Sequence, residues 1–342
     1  MPNINKFFQR LSSKNKYLPA GLATLILAVL FLSGFFLGRK MQTGDNGQSK
    51  EIRQSSGYAF INPLLECEVG NESPILKSAE LKVKKAIQEQ IIDKNPSASI
   101  AFYYRDLNNG PTFGINEQSS YSPASLLKVP IMLAYYKYSE HDPTIFGKSL
   151  TAGKPATEFS QQIQPEKRIS EGKSYTVSQL IEAMIKYSDN DATNLLFQNV
   201  NQKDFGAVFS DLGINMPEIY NANNSMTVKD YASFFRILYN ASYLNRGLSE
   251  QALALLGTVD YKGGLLAGTP KGITVAHKFG ERESLGDDKQ VVRQLHDCGI
   301  VYHPQRPYLL CVMTKGQDFT KLSHIIAGIS KIIYDQVDSG AR

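Results

Sequence analysis

A serine followed three residues later by a lysine could form an activated nucleophile, and this pattern begins at Ser13, Ser125 and Ser170. A serine hydroxyl is a weak nucleophile that needs a nearby base. When the serine begins a helix, the lysine lies on the same face one turn later, and its amine can accept a proton if it is desolvated. Only Ser125 leads into a strongly apolar stretch, LLKVPIMLAYY, which would bury Lys128. We therefore predict Ser125 as the nucleophile and Lys128 as its partner.

Two further polar groups could complete a site around this pair. Residues 188–190 (Ser-Asp-Asn) follow a helix predicted to end at Tyr187, and residues 278–280 (Lys-Phe-Gly) are predicted to end a strand. Each group is common by itself, and Lys262-Gly263-Gly264 repeats the lysine–glycine spacing in a loop. The three motifs together, on a helix start, an inter-helix turn and a strand end, are much harder to obtain by chance.

This ordered set resembles that of the penicillin-recognising serine enzymes, and its spacing is most similar to class A β-lactamases. The resemblance runs from about Glu80 to the C-terminus and includes the glycine-rich approach to the third motif, GGLLAGTPKGITVAHKFG. It implies a β-lactamase/D,D-peptidase-like fold with one active site. No cofactor and no metal are expected, since the histidines show no metal-ligand spacing.

The resemblance implies catalytic roles for four residues. Ser125 would be acylated and Lys128 would help to deprotonate it. Ser188 would pass a proton to the leaving nitrogen, and Lys278 would supply positive charge beside Ser188.

Besides Ser125, four residues are expected to bind the substrate on the same grounds. Asn190 would bind the substrate amide, and Gly280 would let the substrate lie against the strand. The backbone N–H groups of Glu281 and Ser125 would form the oxyanion hole. Phe279 would line the same stretch of strand.

The chain departs from the family pattern where a substrate carboxylate would bind. Family members usually carry Thr or Ser at the position of Phe279, and no arginine follows on the next strand, where Cys298 and Gly299 stand. Recognition of a carboxylate would then depend on Lys278 or on a residue such as Arg282.

A second departure concerns the release of the acyl group. Class A enzymes use a glutamate of a Glu-x-x-x-Asn loop to activate the hydrolytic water, and here Met216 stands in its place. Glu218 is the candidate substitute. Without such a base, we expect acylation to occur and turnover to be slow.

Three functions remain open. The leading hypothesis is a serine hydrolase that opens a β-lactam or a related amide through an acyl-Ser125 intermediate. The first alternative is a penicillin-binding D,D-peptidase that acts on peptidoglycan stem peptides with slow deacylation. The second alternative is a non-catalytic cell-wall or β-lactam sensor domain, which would have no need of Lys128.

The elements that would position these residues follow an α+β order rather than an alternating βαβ one. We predict a three-layer α/β/α fold in which a five-stranded antiparallel sheet carries the terminal helices, and an all-helical domain is inserted between strands two and three. Predicted helices are 74–93, 128–138, 176–187, 227–239 and 319–336, and predicted strands are 97–106, 111–115, 272–278, 294–302 and 307–314.

The N-terminus has the composition of a membrane anchor. Residues 17–38 hold no charged side chain, which suits a span of ~20 apolar residues, and more basic residues precede the segment than follow it. We predict a cytoplasmic tail (1–16), a transmembrane anchor (17–38), a flexible linker (39–59) and an extracytoplasmic catalytic domain (60–342). The protein would sit in the cell membrane as a single-pass chain.

Composition excludes several other classes of protein. A net charge of +5, scattered along the chain, argues against a nucleic-acid partner. We expect a monomer that acts on a small-molecule or peptidoglycan-derived substrate. The three cysteines, Cys67, Cys298 and Cys311, are predicted to be buried free thiols, and a Cys298–Cys311 bridge across a hairpin is left open.

Overall fold

A computed structural model describes residues 51–53, 57–67, 74–108, 112–155, 161–217, 224–286 and 289–341. The predicted tail (1–16), the predicted anchor (17–38) and Glu218 lie outside these residues. Within the described part of the chain, no helix is both long enough and apolar enough to cross a bilayer.

Five antiparallel strands form the central sheet, in the spatial order β4-β3-β11-β10-β9. The prediction of a five-stranded antiparallel sheet is confirmed, and both of its faces are covered by apolar side chains of the surrounding helices. Its strands are β3 (Ser99–Asp106), β4 (Thr112–Ile115), β9 (Val275–Leu285), β10 (Val291–Val301) and β11 (Tyr308–Gly316).

The two terminal helices cover one face of the sheet. Helix α1 (Pro74–Ile87) continues as a π-helical turn (Gln88–Ile92), and helix α9 spans Phe319–Ala341. Ile87 and Ile329 from these helices share a buried core with Phe102 and Val312 of the sheet. In both terminal helices, apolar residues recur every four positions, so one face of each helix is apolar and packs against the sheet.

The other face of the sheet packs against a helical region inserted between β4 and β9, as predicted. Thr176 and Thr227 cap two of these helices through their side-chain oxygens, and Thr176 forms a capping box with Gln179. The helices are α2 (Lys128–Ser139), α3 (Val177–Lys186), α4 (Asn190–Asn199), α5 (Gln202–Ser210), α6 (Val228–Tyr239), α7 (Arg246–Leu256) and the single turn α8 (Gly264–Ala267).

Short two-stranded sheets flank this core. Strand β5 (Ser120–Tyr121) pairs with β8 (Met226–Thr227), and β6 (Ser149–Thr151) pairs with β7 (Ser174–Thr176). Strand β1 (Glu51–Arg53), which lies in the predicted linker, pairs with β2 (Leu64–Cys67) of the predicted catalytic domain.

Residues 59–61 attach to the helical region because their backbone N–H groups all donate to the Glu250 carboxylate. The hydroxyl of Tyr302 donates to the carbonyl of Phe60, which adds a contact to the end of the sheet.

Two local predictions about the sheet are wrong. The strand that carries Lys278 does not end there but continues to Leu285, because β10 pairs with it as far as Val291. Cys298 and Cys311 are not free thiols: they stand directly opposite each other on β10 and β11 and form a disulfide.

Candidate active site

The nucleophile candidate lies in a strained turn at the start of a buried helix. Residues 124–127 form a 3₁₀ turn that leads directly into α2 at Lys128. Ala124 has a φ of 49°, a left-handed conformation that is unfavourable for a residue with a Cβ. Ser125 follows it and is half-buried, and the Lys128 side chain is buried.

The Lys128 amine makes three short contacts, all with the turn between α3 and α4. Its Nζ lies 2.6 Å from the Ser188 carbonyl oxygen, 2.9 Å from Ser188 Oγ and 2.8 Å from Asn190 Oδ1. In this arrangement the amine does not hydrogen-bond to Ser125. Burial, with help from the positive charge of Lys278, lowers the pKa of Lys128 well below its usual value and makes the neutral amine more accessible.

Ser188 links this amine to a second one. Lys278 Nζ donates to Ser188 Oγ at 3.0 Å and to the Phe279 carbonyl at 2.9 Å, and its side chain is fully buried. Burial lowers the pKa of Lys278 to about 7, although the carboxylates of Asp297 and Glu281 oppose this shift. Two amines therefore meet at one hydroxyl.

The Ser188 turn is held in a conformation that it would not adopt alone. Ser188 has a φ of 58°, in the left-handed region. Asp189, which is buried, caps α4 by accepting from the N–H groups of Asp191 and Ala192, and its second oxygen accepts from Ile169 N–H at 2.7 Å. These bonds offset the backbone strain and aim Ser188 and Asn190 at Lys128.

Gly280 brings strand β9 against the nucleophile turn. A Cβ at this position would lie 3.0 Å from Leu126 N and from Pro123 O, so a larger residue would push the nucleophile turn away from the strand by a few tenths of an ångström. Gly280 lies against Leu126, and the next residue after Gly280 is Glu281, whereas the residue before Leu126 is Ser125. The backbones of Glu281 and Ser125 therefore lie close together. This is the region where the oxyanion hole was predicted.

The Glu281 side chain has contacts that the motif did not predict. Its carboxylate accepts from the backbone N–H groups of Gln162 and Ile163, at 2.9–3.1 Å. Burial raises the pKa of the Glu281 carboxyl, and these hydrogen bonds oppose that shift. The amide of Gln161 donates to the Ser188 carbonyl at 2.8 Å. The segment 161–163 thus connects β9 with the Ser188 turn.

Phe279 and the two groups predicted to recognise a carboxylate, Lys278 and Arg282, already have internal partners. Phe279 is only 4% exposed, and its ring stacks on Tyr261 with 4.4 Å between centroids. Lys278 Nζ lies 4.0 Å from the centre of the Phe279 ring. Arg282 donates to Ser122 Oγ at 2.7 Å. The buried Phe279 ring thus packs within the protein rather than lining an open surface.

Of the nine predicted site residues, the structure brings together seven, buries the side chain of Phe279 and leaves Glu218 undescribed. Met216 is 49% exposed, and Glu218, the candidate deacylation substitute, lies outside the described residues. His277, adjacent to Lys278, is buried and paired with Asp297 at 2.8 Å. The residues brought together are Ser125, Lys128, Ser188, Asn190, Lys278, Gly280 and Glu281.

Sequence reasoning missed the side chains that surround this group. Gln161 lies in a loop with no motif, and Gln294 and His296 are separated from Ser122 by more than 170 positions. No local pattern marks them. The described part of the chain holds no cluster of three or more His, Cys, Asp or Glu side chains that could hold a metal ion.

Comparisons with known proteins bear on the family and the fold of this chain. The profile of the Beta-lactamase enzyme family matches residues 82–337. A PBP-A variant, solved as an acyl-enzyme complex with penicillin G, is 22% identical with a TM-score of 0.62, and the match covers 76% of this chain and 97% of that one. No curated protein matches the chain.

Two β-lactamase structures give similar values. The enzyme from Chitinophaga pinensis DSM 2588 is 17% identical with a TM-score of 0.64, covering 75% of this chain and 99% of that one. A class A β-lactamase from Bacteroides cellulosilyticus DSM 14838 is 18% identical with a TM-score of 0.64, covering 76% and 99%. At such identities the likeness establishes the fold.

Proposed function

This chain belongs to the beta-lactamase enzyme family, and on that premise we propose that it is a serine hydrolase that forms an acyl-enzyme at Ser125. The observation that carries the proposal is the contact of Ser188 Oγ with the amines of both Lys128 and Lys278, at 2.9 Å and 3.0 Å. It joins the three motifs in one buried network beside Ser125.

The network can move a proton in the direction that acyl transfer needs. A serine hydroxyl has one proton and two lone pairs, and a neutral amine has one lone pair. The carbonyl of Ser188 and Oδ1 of Asn190 can only accept, so a neutral Lys128 gives them its two N–H groups. Its lone pair can then accept the Ser125 proton once the Ser125 hydroxyl turns towards it, and the resulting ammonium group can donate to Ser188 Oγ, 2.9 Å away. Ser188, which also accepts from Lys278, is placed to pass that proton onward.

In the proposed reaction, Ser125 Oγ attacks the carbonyl carbon of a strained amide. The Oγ–C bond forms, the C–N bond breaks, and the Ser125 proton passes through Lys128 and Ser188 to the leaving nitrogen. The backbone N–H groups of Ser125 and Glu281 would hold the developing oxyanion. Water then hydrolyses the ester and frees Ser125.

A second candidate is a penicillin-binding peptidase with slow deacylation, and Met216 favours it. Its thioether stands where the family places a glutamate, and it cannot activate water. The PBP-A variant that resembles this chain was itself captured with penicillin G attached. A β-lactam would then act mainly as a slow inhibitor, and a peptidoglycan stem peptide would be the substrate.

A non-catalytic sensor explains the site less well. Two buried amines that share one hydroxyl carry a large desolvation cost, and such arrangements are concentrated at catalytic sites. A module that only bound a ligand would gain nothing from Lys128, whose three contacts are all internal.

We place the catalytic domain outside the cytoplasmic membrane, tethered by residues 17–38. The support is the uncharged apolar composition of that segment together with the Cys298–Cys311 disulfide. Disulfides persist in oxidising compartments and are rare in the cytosol.

The test uses the full-length chain in a mild detergent with a chromogenic cephalosporin, following absorbance and intact mass over time. A stable mass increase that peptide mapping assigns to Ser125 supports acylation, and heat-denatured protein is the control. Sustained hydrolysis identifies a β-lactamase, whereas one burst with a lasting adduct identifies the slow peptidase-like enzyme. No adduct and no hydrolysis would contradict β-lactam chemistry at Ser125.

The rate of acylation should depend on pH through Lys278. Its pKa is about 7 in the folded protein, so the ammonium group that donates to Ser188 is lost as pH rises above that value. We expect the acylation rate to fall by about tenfold per pH unit on the alkaline side. In Lys278→Arg, whose side chain stays charged, this alkaline decline should disappear even if the absolute rate is lower.

Lys262→Arg is the matched control, because Lys262 stands in the other lysine–glycine motif and its side chain is 73% exposed. Its pH profile should equal that of the wild type. An alkaline decline that survives in Lys278→Arg would assign the ionisation to another group.

A further inference from the structure

Ser122, three residues before the nucleophile, is held by the sheet through all three of its polar groups. Its N–H donates to Gln294 Oε1 at 3.1 Å, and its carbonyl contacts His296 Nε2 at 2.9 Å. Its hydroxyl accepts from Arg282 Nη1 at 2.7 Å. We name Arg282, Gln294 and His296 together the Ser122 clamp.

The histidine of the clamp has a defined proton position. Thr314 N–H donates to His296 Nδ1 at 3.2 Å, so the ring proton is on Nε2 and is donated to the Ser122 carbonyl. His296 is fully buried, with the Tyr121 ring packed edge-on against it. Burial lowers the pKa of His296 to about 4, so the ring stays neutral across the physiological range.

The clamp and Gly280 share one face of two paired strands. Gln294 stands opposite Arg282, and His296 stands opposite Gly280, in the β9–β10 register. Alternate residues of a strand point to the same face, so these four positions form one continuous patch. Gly280 leaves room for the nucleophile turn to rest on the sheet, and the three clamp side chains bind Ser122 around that contact.

A turn with this geometry needs such support. The left-handed conformation of Ala124 is unfavourable for a residue with a Cβ and persists only when its surroundings determine it. Ala124 lies between the clamped residue and the nucleophile. If Ser122 were free, relaxation at Ala124 would rotate both the hydroxyl and the N–H group of Ser125.

We propose that Arg282, Gln294 and His296 are positioning residues for Ser125. By fixing Ser122, they hold the strained turn so that the Ser125 hydroxyl faces Lys128 and its N–H group faces the reacting carbonyl. This role rests on the proposed function of Ser125 as the acylated nucleophile. It also gives Arg282 an internal partner in place of a substrate carboxylate.

The test measures the first-order acylation rate constant at saturating cephalosporin and, separately, the apparent dissociation constant before acylation. Ser122→Ala removes one clamp bond and should lower the rate constant about tenfold. His296→Leu leaves the Ser122 carbonyl unbonded and should lower it by ~10²-fold, the size of effect expected for a misplaced reacting group. The dissociation constant should change little in either variant.

Two further variants separate positioning from general stability. His296→Gln can still donate an N–H to the Ser122 carbonyl and should recover much of the lost rate. Arg293→Met removes an arginine from the same strand β10 that instead pairs with Glu283, and it should keep the wild-type rate constant. Melting temperatures are measured for every variant.

The outcomes are distinct. A lower melting temperature with an unchanged rate constant in Ser122→Ala and His296→Leu would show that the clamp is only structural. If the wild type forms no cephalosporin adduct, a fluorophosphonate probe is used in place of the cephalosporin. It labels a reactive serine: the Oγ–P bond forms as the P–F bond breaks, and fluoride and a proton leave. Slower labelling of the variants would still support the clamp, and equal labelling would overturn it. A wild type that reacts with neither probe overturns both proposals.

Discussion

Replacement of Ser125 by alanine is expected to abolish the covalent adduct with a chromogenic cephalosporin and to lower any hydrolysis by at least ~10³-fold. The substitution removes only the hydroxyl oxygen. The backbone N–H of residue 125, the Lys128 contacts to Ser188 and the Gly280 packing do not depend on that oxygen. The loss would therefore report the nucleophile itself. Intact-mass spectrometry and initial rates measure it.

Ser170→Ala is the matched control for this change. Ser170 begins an identical Ser-x-x-Lys pattern with Lys173, but it lies in an exposed position, and its backbone N–H donates to the Tyr175 hydroxyl. Adduct formation and hydrolysis should be the same as in the wild type. If Ser125→Ala still formed an adduct of the same mass, another residue would be the nucleophile.

Lys128→Met is expected to lower the acylation rate constant by ~10³-fold, within the range that a general base contributes. Methionine is similar in length and apolar, so it fills the buried space but cannot accept a proton. Loss of the amine removes its bonds to Ser188 and Asn190, and the separate bond between Lys278 and Ser188 remains available. Rapid-mixing absorbance measurements give the rate constant.

The matched control is Lys173→Met, which changes the exposed lysine of the other pattern and should have no effect. Lys128→Arg adds a second comparison, because arginine keeps positive charge but cannot lose its proton near neutral pH. It should be as slow as Lys128→Met. If Lys128→Arg instead reacted at the wild-type rate, Lys128 would act only as a fixed positive charge. A group other than Lys128 would then have to take the proton from Ser125.

Together, the substitutions at Ser125 and Lys128 distinguish an acyl-transfer enzyme, whether a hydrolase or a peptidase, from a binding module. A catalytic hydrolase or a peptidase requires both Ser125 and Lys128 for acylation, whereas a binding module requires neither for ligand affinity. Measurement of non-covalent binding by each variant completes the comparison. Retained binding with lost acylation is the result we expect.

Much of the fold, and the candidate nucleophile, could be predicted from local patterns. The Thr176 and Thr227 caps, the four-residue apolar spacing of the terminal helices and the apolar run after Ser125 each act over a few residues. Such signals depend on backbone propensity and on the burial of one face, so they survive in the folded protein. They placed the helices and strands and identified the three motifs.

The sequence alone did not determine the ends of strands or the cysteine pairing. The stretch after Gly280 is polar and reads as a strand end, yet pairing with β10 extends the strand to Leu285. Cys298 and Cys311 bond because the β10–β11 register places them opposite each other. Register is a property of two strands together, and neither strand specifies it by itself.

The chemistry of the site also depended partly on local sequence and partly on the tertiary structure. The residue types and order of Ser125, Lys128, Ser188 and Lys278 pointed to acyl transfer before any contact was known. Only the tertiary structure showed that the Lys128 amine hydrogen-bonds to Ser188, 60 positions away. Likewise, only the tertiary structure brought His296 to the Ser122 carbonyl, 174 positions away. Local sequence sets which groups are available, but packing of distant segments sets their distances, burial and pKa values, because these depend on every neighbour that excludes water.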